Sequence, residues 1–189
     1  MDTHMTAHQS AGRISLDALN ALDRAAFTAR VGGVFEGSPW VAERAWSARP
    51  FDGLPALHQA LGRALGAASH DERRALIEAH PDLAGQAALA GLLTPESSGE
   101  QAAAGLDRLS PAEVAEFEQL NAAYRARFGF PFVICARRTD KEAMLHGLRT
   151  RVEQTRSREE ATALDEIGKI AWLRLQDLVE TQPPEPRRD

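Results

Sequence analysis

Cysteine is almost absent from this chain. Cys135 is the only one in 189 residues, which excludes an internal disulfide framework and a multi-cysteine zinc site. A lone thiol is typical of a reducing compartment, so we expect a cytoplasmic protein. The sequence also has no HExxH zinc pattern, no glycine-rich phosphate loop and no GxSxG nucleophile motif. We therefore expect no metal ligands and no nucleotide site.

A strong charge of one sign and long apolar runs are missing as well. The net charge of -5 provides no general attraction to nucleic acid or to an anionic membrane. The length fits one domain. We expect a helical domain at 13–180, preceded by a flexible polar leader at 1–12 without the apolar run of a signal peptide. A proline-rich, charged and disordered tail is expected at 181–189.

Runs of β-branched residues are rare, whereas alanine and leucine dominate, and this favours helix throughout. The sequence predicts an all-α, single-domain bundle of about eight to nine helices with no sheet. The one strand-like run, at 130–136, is too isolated for a sheet and is expected as an extended segment packed under helices. Helices are predicted at 15–30, 39–48, 54–67, 70–79, 82–91, 97–107, 111–128, 140–153 and 158–180.

Helix starts are marked by a Ser or Thr followed three residues later by Glu, the capping-box spacing. Pro39 and Pro111 are each predicted at a first helical position, where a missing N–H has no cost. The four predicted boxes are Ser69 with Glu72, Ser110 with Glu113, Thr139 with Glu142, and Ser157 with Glu160.

The segment LIEAHPDLAG places His80 where a helix must stop, because Pro81 disfavours the helical conformation of the residue before it. Pro81 can itself begin the next helix. The dipole at a helix C-terminus favours protonated histidine, which suits a proton donor. The simpler interpretation, a His-Pro pair that only ends a helix, is favoured by the local sequence alone.

In TPESSGEQAAAGLDRL, Ser97 or Ser98 can cap a helix that has Glu100 and Gln101 in its first turn. Capping accounts for all of these residues, and the local sequence favours that interpretation. The functional hypothesis adds a polar patch that matches the donors and acceptors of a urea-like ligand.

The run RFGFPFVICARR requires a tight, buried backbone turn that leaves N–H and C=O groups free to contact a flat ligand. A hydrophobic plug explains the same composition equally well. Farther along, Arg174 stands among Trp172, Leu173 and Leu175. It either extends outward along its aliphatic stem, the commoner outcome, or pairs with an anion in a pocket.

Taken in order, these features resemble the 2-oxo-4-hydroxy-4-carboxy-5-ureidoimidazoline (OHCU) decarboxylase family from about Leu16 to Val179. The matching segments are FTARVGGVFEGSPWVAERAW, HPDLAG, SSGEQAAAGLD, FGFPFVICAR and IAWLRLQDLV. HPDLAG together with FGFPFVICAR is the most specific part. The chain departs from the family at Arg138-Thr139, where a glycine is expected after Arg137, and this affects the geometry of the loop after the site.

The resemblance implies a cofactor-free decarboxylase that converts OHCU to (S)-allantoin in urate degradation. It implies an all-helical homodimer that acts on a small ureidoimidazoline substrate. It implies no binding of nucleic acid, membrane or metal. His80 is implied as the catalytic acid, assisted by Glu100 and Arg174. The implied substrate contacts are Pro81, Ser97, Ser98, Gly99, Gln101, Phe132, Val133, Ile134, Cys135 and Ala136.

Two other functions remain open at this point. A helical interaction module would bury a partner protein with the FGFPFV run, and it predicts no pocket near His80. Another ureide-processing hydrolase would need a metal cluster or a nucleophile that the sequence does not display.

Overall fold

The computed structural model describes residues 12–85, 88 and 90–180. This part of the chain is helical, and its one β-type pairing is an isolated bridge between Ile14 and Val179. The all-α prediction is therefore confirmed. The α-helices are Leu16–Ala21 (α1), Arg24–Val31 (α2), Trp40–Ala45 (α3), Leu54–Gly66 (α4), His70–Glu78 (α5), Pro95–Ala103 (α6), Pro111–Phe128 (α7), Lys141–Arg151 (α8) and Arg156–Leu178 (α9).

Short 3-10 turns follow α2, α3 and α6, at Gly32–Val34, Trp46–Ala48 and Leu106–Arg108, and another precedes α8, at Ala136–Arg138. The predicted tail at 181–189, and all of the predicted leader except Gly12, lie outside the described residues. The predicted helix at 82–91 lies partly outside them, and it is wrong for 82–85 and 90–91, which form turns and loop. No described helix is long and apolar enough to cross a membrane.

The predicted helix at 15–30 is wrong in one respect, because it is two helices. Leu22 adopts an extended conformation, and the Asp23 carboxylate accepts a hydrogen bond from the Ala26 N–H at 2.8 Å. An aspartate that captures a free backbone N–H starts a new helix instead of continuing the old one. The break separates α1 from α2.

Two of the four predicted capping boxes form as expected, at Ser69 and at Ser110. The other two are wrong. Asp140 caps α8 by accepting from the Ala143 N–H at 2.9 Å, and Thr155 caps α9. Asp140 directly follows the predicted cap Thr139, and Thr155 lies two residues before the predicted cap Ser157. Both side chains can bind the same kind of N–H, so the three-residue spacing to Glu was misleading.

One of the two predicted proline positions is confirmed and the other is wrong. Pro111 is the first residue of α7, as predicted, whereas Pro39 is the N-cap of α3 and the helix begins at Trp40. The helix predicted from residue 97 begins at Pro95, because the Thr94 hydroxyl caps it by accepting from the Ser97 N–H at 3.3 Å. Ser97 is thereby placed inside the helix, with its side chain free for other contacts.

Helix α9 lies at the centre of the packing, against α4, α5 and the turn at 32–34. Its buried apolar residues recur close to the helical period, so one face enters the core and the opposite face stays charged. The buried apolar residues of this face are Ala163, Ile167, Ile170, Ala171 and Leu175. Arg174 interrupts the apolar face and is also buried.

The segment at 130–135 is neither helix nor strand, and it follows Gly129, the C-cap of α7, which is in the left-handed conformation with φ +78°. Phe130, Phe132 and Cys135 are buried beneath the helices. Both phenylalanine rings pack on Tyr124 of α7. The expectation of a segment that packs under helices without joining a sheet is confirmed for 130–135, whereas Ala136 begins a 3-10 turn.

The two adjacent residues at the start of α8 provide a test of this fold. Asp140→Ala should lower the free energy of unfolding by about 1 kcal/mol, because one N-terminal N–H loses its acceptor. Thr139→Ala, at the position that the capping-box spacing predicted, should change it little. Urea unfolding of both variants measures the difference, and a larger loss in Thr139→Ala would contradict the assigned cap.

Candidate functional site

His80 lies just beyond α5 and faces a cleft that Pro81 also lines. Its Nδ1 is 2.9 Å from the carbonyl oxygen of Leu76. A carbonyl can only accept a hydrogen bond, so Nδ1 carries the proton. In the neutral ring, Nε2 then presents a lone pair, which can accept a proton from a bound molecule.

The protonation state of His80 differs from the expectation. Burial lowers the pKa of His80, and the hydrogen bond to Leu76 and the charge of Glu36 oppose this only in part, while Arg174 lowers it further. The protonated donor predicted from the helix dipole is therefore corrected to a neutral imidazole near neutral pH. The dipole effect is small beside the loss of hydration of a side chain that is only 6% exposed.

Arg174 reaches the same cleft from α9, and it does not extend outward to solvent. Its Nε and Nη2 donate to the two carboxylate oxygens of Glu100, each at 2.8 Å. Nη1 donates to Glu36 at 3.0 Å and to the carbonyl of Gly33 at 3.3 Å, and Nη2 also donates to the Ser97 hydroxyl at 3.2 Å. All five N–H donors of the guanidinium are thus used by the protein.

One guanidinium therefore stands between two carboxylates. Burial alone would lower the pKa of Arg174, but the hydrogen bond and charge of Glu100 and the charge of Glu36 raise it. Burial alone would raise the pKa of Glu36, but its bonds to Thr94, Arg174 and Ser97 lower it. Both groups are charged at neutral pH, and the ion pairs compensate the cost of burying them.

Glu36 is not among the site residues predicted from the sequence. It lies in VFEGSPW, between apolar residues, and is only 7% exposed. A glutamate inside such a run is the one local signal that could have indicated a buried, paired charge. Its partners are distant in sequence and could not be predicted.

Helix α6 directs one face to the cleft. Ser97, Glu100 and Gln101 line it, spaced three and four residues apart, as one helical face requires. Ser98 and Gly99 are exposed and lie outside the cleft. The helix was predicted to start at residue 97 instead of Pro95, so the sequence could not show which of these residues face the cleft.

The Gln101 amide is already engaged with the loop that follows Pro81. Its Oε1 accepts from the Ala84 N–H at 3.0 Å, and its Nε2 donates to the Asp82 carbonyl at 3.3 Å. Ala84 has a positive φ of 49°, which a non-glycine residue adopts only where its surroundings hold it. Gln101 thus fixes the loop next to His80.

The extended segment forms the opposite wall through Phe132, Val133, Ile134 and Ala136, whereas Cys135 is buried outside the cleft. The Cys135 N–H donates to Glu166 at 2.8 Å, and the Val133 carbonyl accepts from Arg151 at 2.9 Å. Within 12–85, 88 and 90–180, the N–H groups of Val133, Ile134 and Ala136 have no protein acceptor. These N–H groups are available as donors beside the cleft.

A buried charged group supports this wall from behind. Arg151 donates to Glu159, which is fully buried, and the Tyr124 hydroxyl donates to the same carboxylate oxygen. The Arg151 guanidinium also lies 4.3 Å from the centre of the Phe132 ring. These contacts fix both the backbone and the side chain of the segment.

Most of the predicted site residues meet in one cleft, and Leu83 and Ile170, which the sequence analysis did not name, complete its apolar lining. The interaction-module hypothesis predicted no pocket near His80 and is contradicted on this point. Across the described ranges, no three His, Cys, Asp or Glu side chains cluster as a metal site would require.

Residues 20–176 match the protein family described as OHCU decarboxylase. Similar proteins include the OHCU decarboxylase of Halalkalicoccus jeotgali, 41% identical over 166 residues, which cover 88% of this chain and 92% of that one. The OHCU decarboxylase of Haloferax volcanii is 42% identical over 162 residues, which cover 86% and 94% of the two chains.

Two solved structures have a similar fold. The crystal structure of (S)-allantoin synthase superposes with a TM-score of 0.69 at 29% identity and covers 89% of this chain, which spans about half (55%) of that one. The crystal structure of OHCU decarboxylase in the presence of (S)-allantoin gives a TM-score of 0.62 at 26% identity, with coverage of 75% and 92%.

The wall behind the cleft can be tested with two arginines of α8. Arg151→Met leaves the Glu159 carboxylate buried without its cation, and the free energy of unfolding should fall by about 3–5 kcal/mol. Arg149→Met removes an exposed pair with Glu116 and should change it little. Urea unfolding compares them, and equal losses would contradict the supporting role of Arg151.

Proposed function

This chain belongs to the OHCU decarboxylase family, and we propose that it decarboxylates OHCU to (S)-allantoin, a step of urate degradation. The observation that carries the proposal is the shared cleft. It combines the imidazole of His80, a carboxylate fixed by a guanidinium, and a wall with backbone N–H groups that have no acceptor in the described part of the chain. These are the groups needed to bind a small polar anion and move one proton.

The chemistry of the substrate explains why such simple groups suffice. Its carboxylate is attached to a ring carbon that also bears a hydroxyl and is bonded to the carbon of a ring C=N group. When carbon dioxide leaves, the electron pair of the broken C–C bond flows into this imine, whose nitrogen takes a proton from solvent. The substrate is its own electron sink, which is the task that an organic cofactor performs in other decarboxylases.

His80 has the proton-transfer role in this mechanism. Its Nε2 accepts the proton of the substrate hydroxyl, so that the carbon that lost carbon dioxide becomes a carbonyl. The resulting imidazolium then delivers that proton to the neighbouring ring carbon, which is the stereocentre of allantoin. Because Leu76 fixes the ring through Nδ1, the proton arrives from one face, and a single enantiomer forms.

Glu100 and the extended wall position the substrate. Arg174 uses one hydrogen bond on each Glu100 oxygen, so further lone pairs of this carboxylate can accept N–H groups of the ureido arm. The N–H groups of Val133, Ile134 and Ala136, which have no acceptor among the residues that the structure describes, bind substrate oxygens in the manner of an oxyanion hole. Arg174 holds the Glu100 carboxylate in the orientation that this binding requires.

The remaining candidate residues have supporting roles in this proposal. Pro81 and Phe132 provide apolar walls against the ring, and Ser97 presents a polar edge. Gln101 acts through the loop at Asp82 and Ala84, to which its amide is bonded. Ser98, Gly99 and Cys135 lie outside the cleft, so their influence on the substrate is indirect.

The proposal extends to assembly and location. The resemblance to the family supports a homodimer, and the single, buried cysteine supports a reducing cytoplasmic environment. Light scattering coupled to size-exclusion chromatography measures the assembly directly. A monomeric mass at all concentrations would contradict the dimer without affecting the proposed reaction.

Replacement of the imidazole tests the reaction. His80→Asn should lower the decarboxylation rate by about 10²–10⁴-fold while the helical circular dichroism stays unchanged, because the proton acceptor is lost. His146→Asn, on the exposed side of α8, is the matched control and should retain full activity. The assay mixes protein with freshly generated urate oxidation product, already ring-opened by its hydrolase, and follows optically pure allantoin. Full activity in His80→Asn would remove this residue from the mechanism.

The pH dependence tests the protonation state of His80. The base must be neutral, and its pKa lies below the ordinary value of 6.5, so kcat/KM should remain constant down to that pH and fall only below it. Initial rates between about pH 5 and pH 8 give the profile. A rate that rises as the pH falls through this range would instead indicate a protonated His80 as the active form.

A further inference from the structure

We propose that Glu36 is a positioning residue of this site, which holds the Arg174 guanidinium and the Ser97 hydroxyl in place for the reaction. The inference rests on the proposed decarboxylation. Glu36 is absent from the lining of the cleft, so it acts through the residues that it binds and has no contact with the reacting atoms.

The Glu36 carboxylate binds two elements that are distant from it in sequence, α6 and α9. Its Oε1 accepts from the Thr94 hydroxyl, the cap of α6, at 2.8 Å. Its Oε2 accepts from the Ser97 hydroxyl at 2.9 Å and from Nη1 of Arg174 at 3.0 Å. A single buried side chain thus fixes the start of α6, one residue of the cleft and the cation of α9.

The backbone around Glu36 is held just as closely. Gly37 has a φ of +57°, and a Cβ built at this position would lie 3.1 Å from the Cβ of Ala79. Ala79 directly precedes His80. The turn that carries Glu36 therefore packs on the helix end that carries His80. The positions of Glu36 and of the imidazole depend on this one contact.

The charges give Glu36 and Glu100 different tasks. Glu100 faces the cleft, whereas Glu36 is enclosed behind it. When Glu100 binds the ureido arm, part of its charge is drawn away from Arg174. A buried guanidinium without a counter-charge is costly, and Glu36 remains as the permanent partner that keeps Arg174 in position.

Glu36 also contributes to the field at His80. The charged groups that act on this imidazole are Glu36, which favours its protonated form, and Arg174, which disfavours it. Neutralising Glu36 therefore makes His80 harder to protonate. A shift in the protonation of His80 on neutralising Glu36 would therefore distinguish an electrostatic and positioning role of Glu36 from a purely structural one.

The test compares Glu36→Gln with Glu96→Gln, an exposed residue of α6 that undergoes the same change of charge. In Glu36→Gln, we expect kcat to fall about tenfold or more, because displaced catalytic groups lose rate steeply with distance. KM should change less, and the acid limb of kcat/KM should move to lower pH. Glu96→Gln should retain the wild-type kcat and the wild-type acid limb.

A second variant, Glu36→Asp, retains the charge and shortens the side chain. It should lose kcat while the acid limb stays in place, and it decides the question if circular dichroism shows that Glu36→Gln is unfolded. Wild-type kcat and acid limb in folded Glu36→Gln, or wild-type kcat in Glu36→Asp, would overturn the positioning role alone. A wild-type protein without decarboxylase activity would overturn the proposed function, and this inference with it.

Discussion

The buried guanidinium of Arg174 is the interaction on which the site depends. A cation in the interior is stable only where opposite charges and acceptors surround it, and Arg174 has both Glu36 and Glu100 as ion-pair partners. Its bonds to Gly33 and Ser97 complete the set. Because these acceptors come from the stretch at 33–36 and from α6, satisfying one side chain brings two separate parts of the chain against α9.

The opposite wall of the cleft follows from a related constraint. Buried backbone groups are normally paired, and the extended segment pairs some of its groups with Arg151 and Glu166. The N–H groups of Val133, Ile134 and Ala136 have no acceptor among the described residues. This arrangement gives the protein a rigid row of donors without any charged side chain, which suits the binding of a flat molecule with several oxygens.

Burial also determines how the imidazole works. The end of a helix favours a protonated histidine, but enclosure at the end of α5 lowers the pKa of His80 despite the nearby carboxylate of Glu36. The Leu76 carbonyl then fixes which nitrogen bears the proton. A neutral, oriented acceptor beside an ion pair suits the proposed proton transfer from the substrate hydroxyl to the neighbouring ring carbon.

The sequence by itself determined the all-α class, the course of the extended segment and the helix starts at Ser69 and Ser110, because these depend on spacings within a few residues. It also indicated His80 and Arg174 as candidates. Only the tertiary structure decided that Arg174 is buried, that Glu36 is its partner, and that His80 is neutral. Those outcomes depend on which side chains meet and how much water is excluded, and the Arg174–Glu36 contact joins residues 138 positions apart, a pairing that no local pattern encodes.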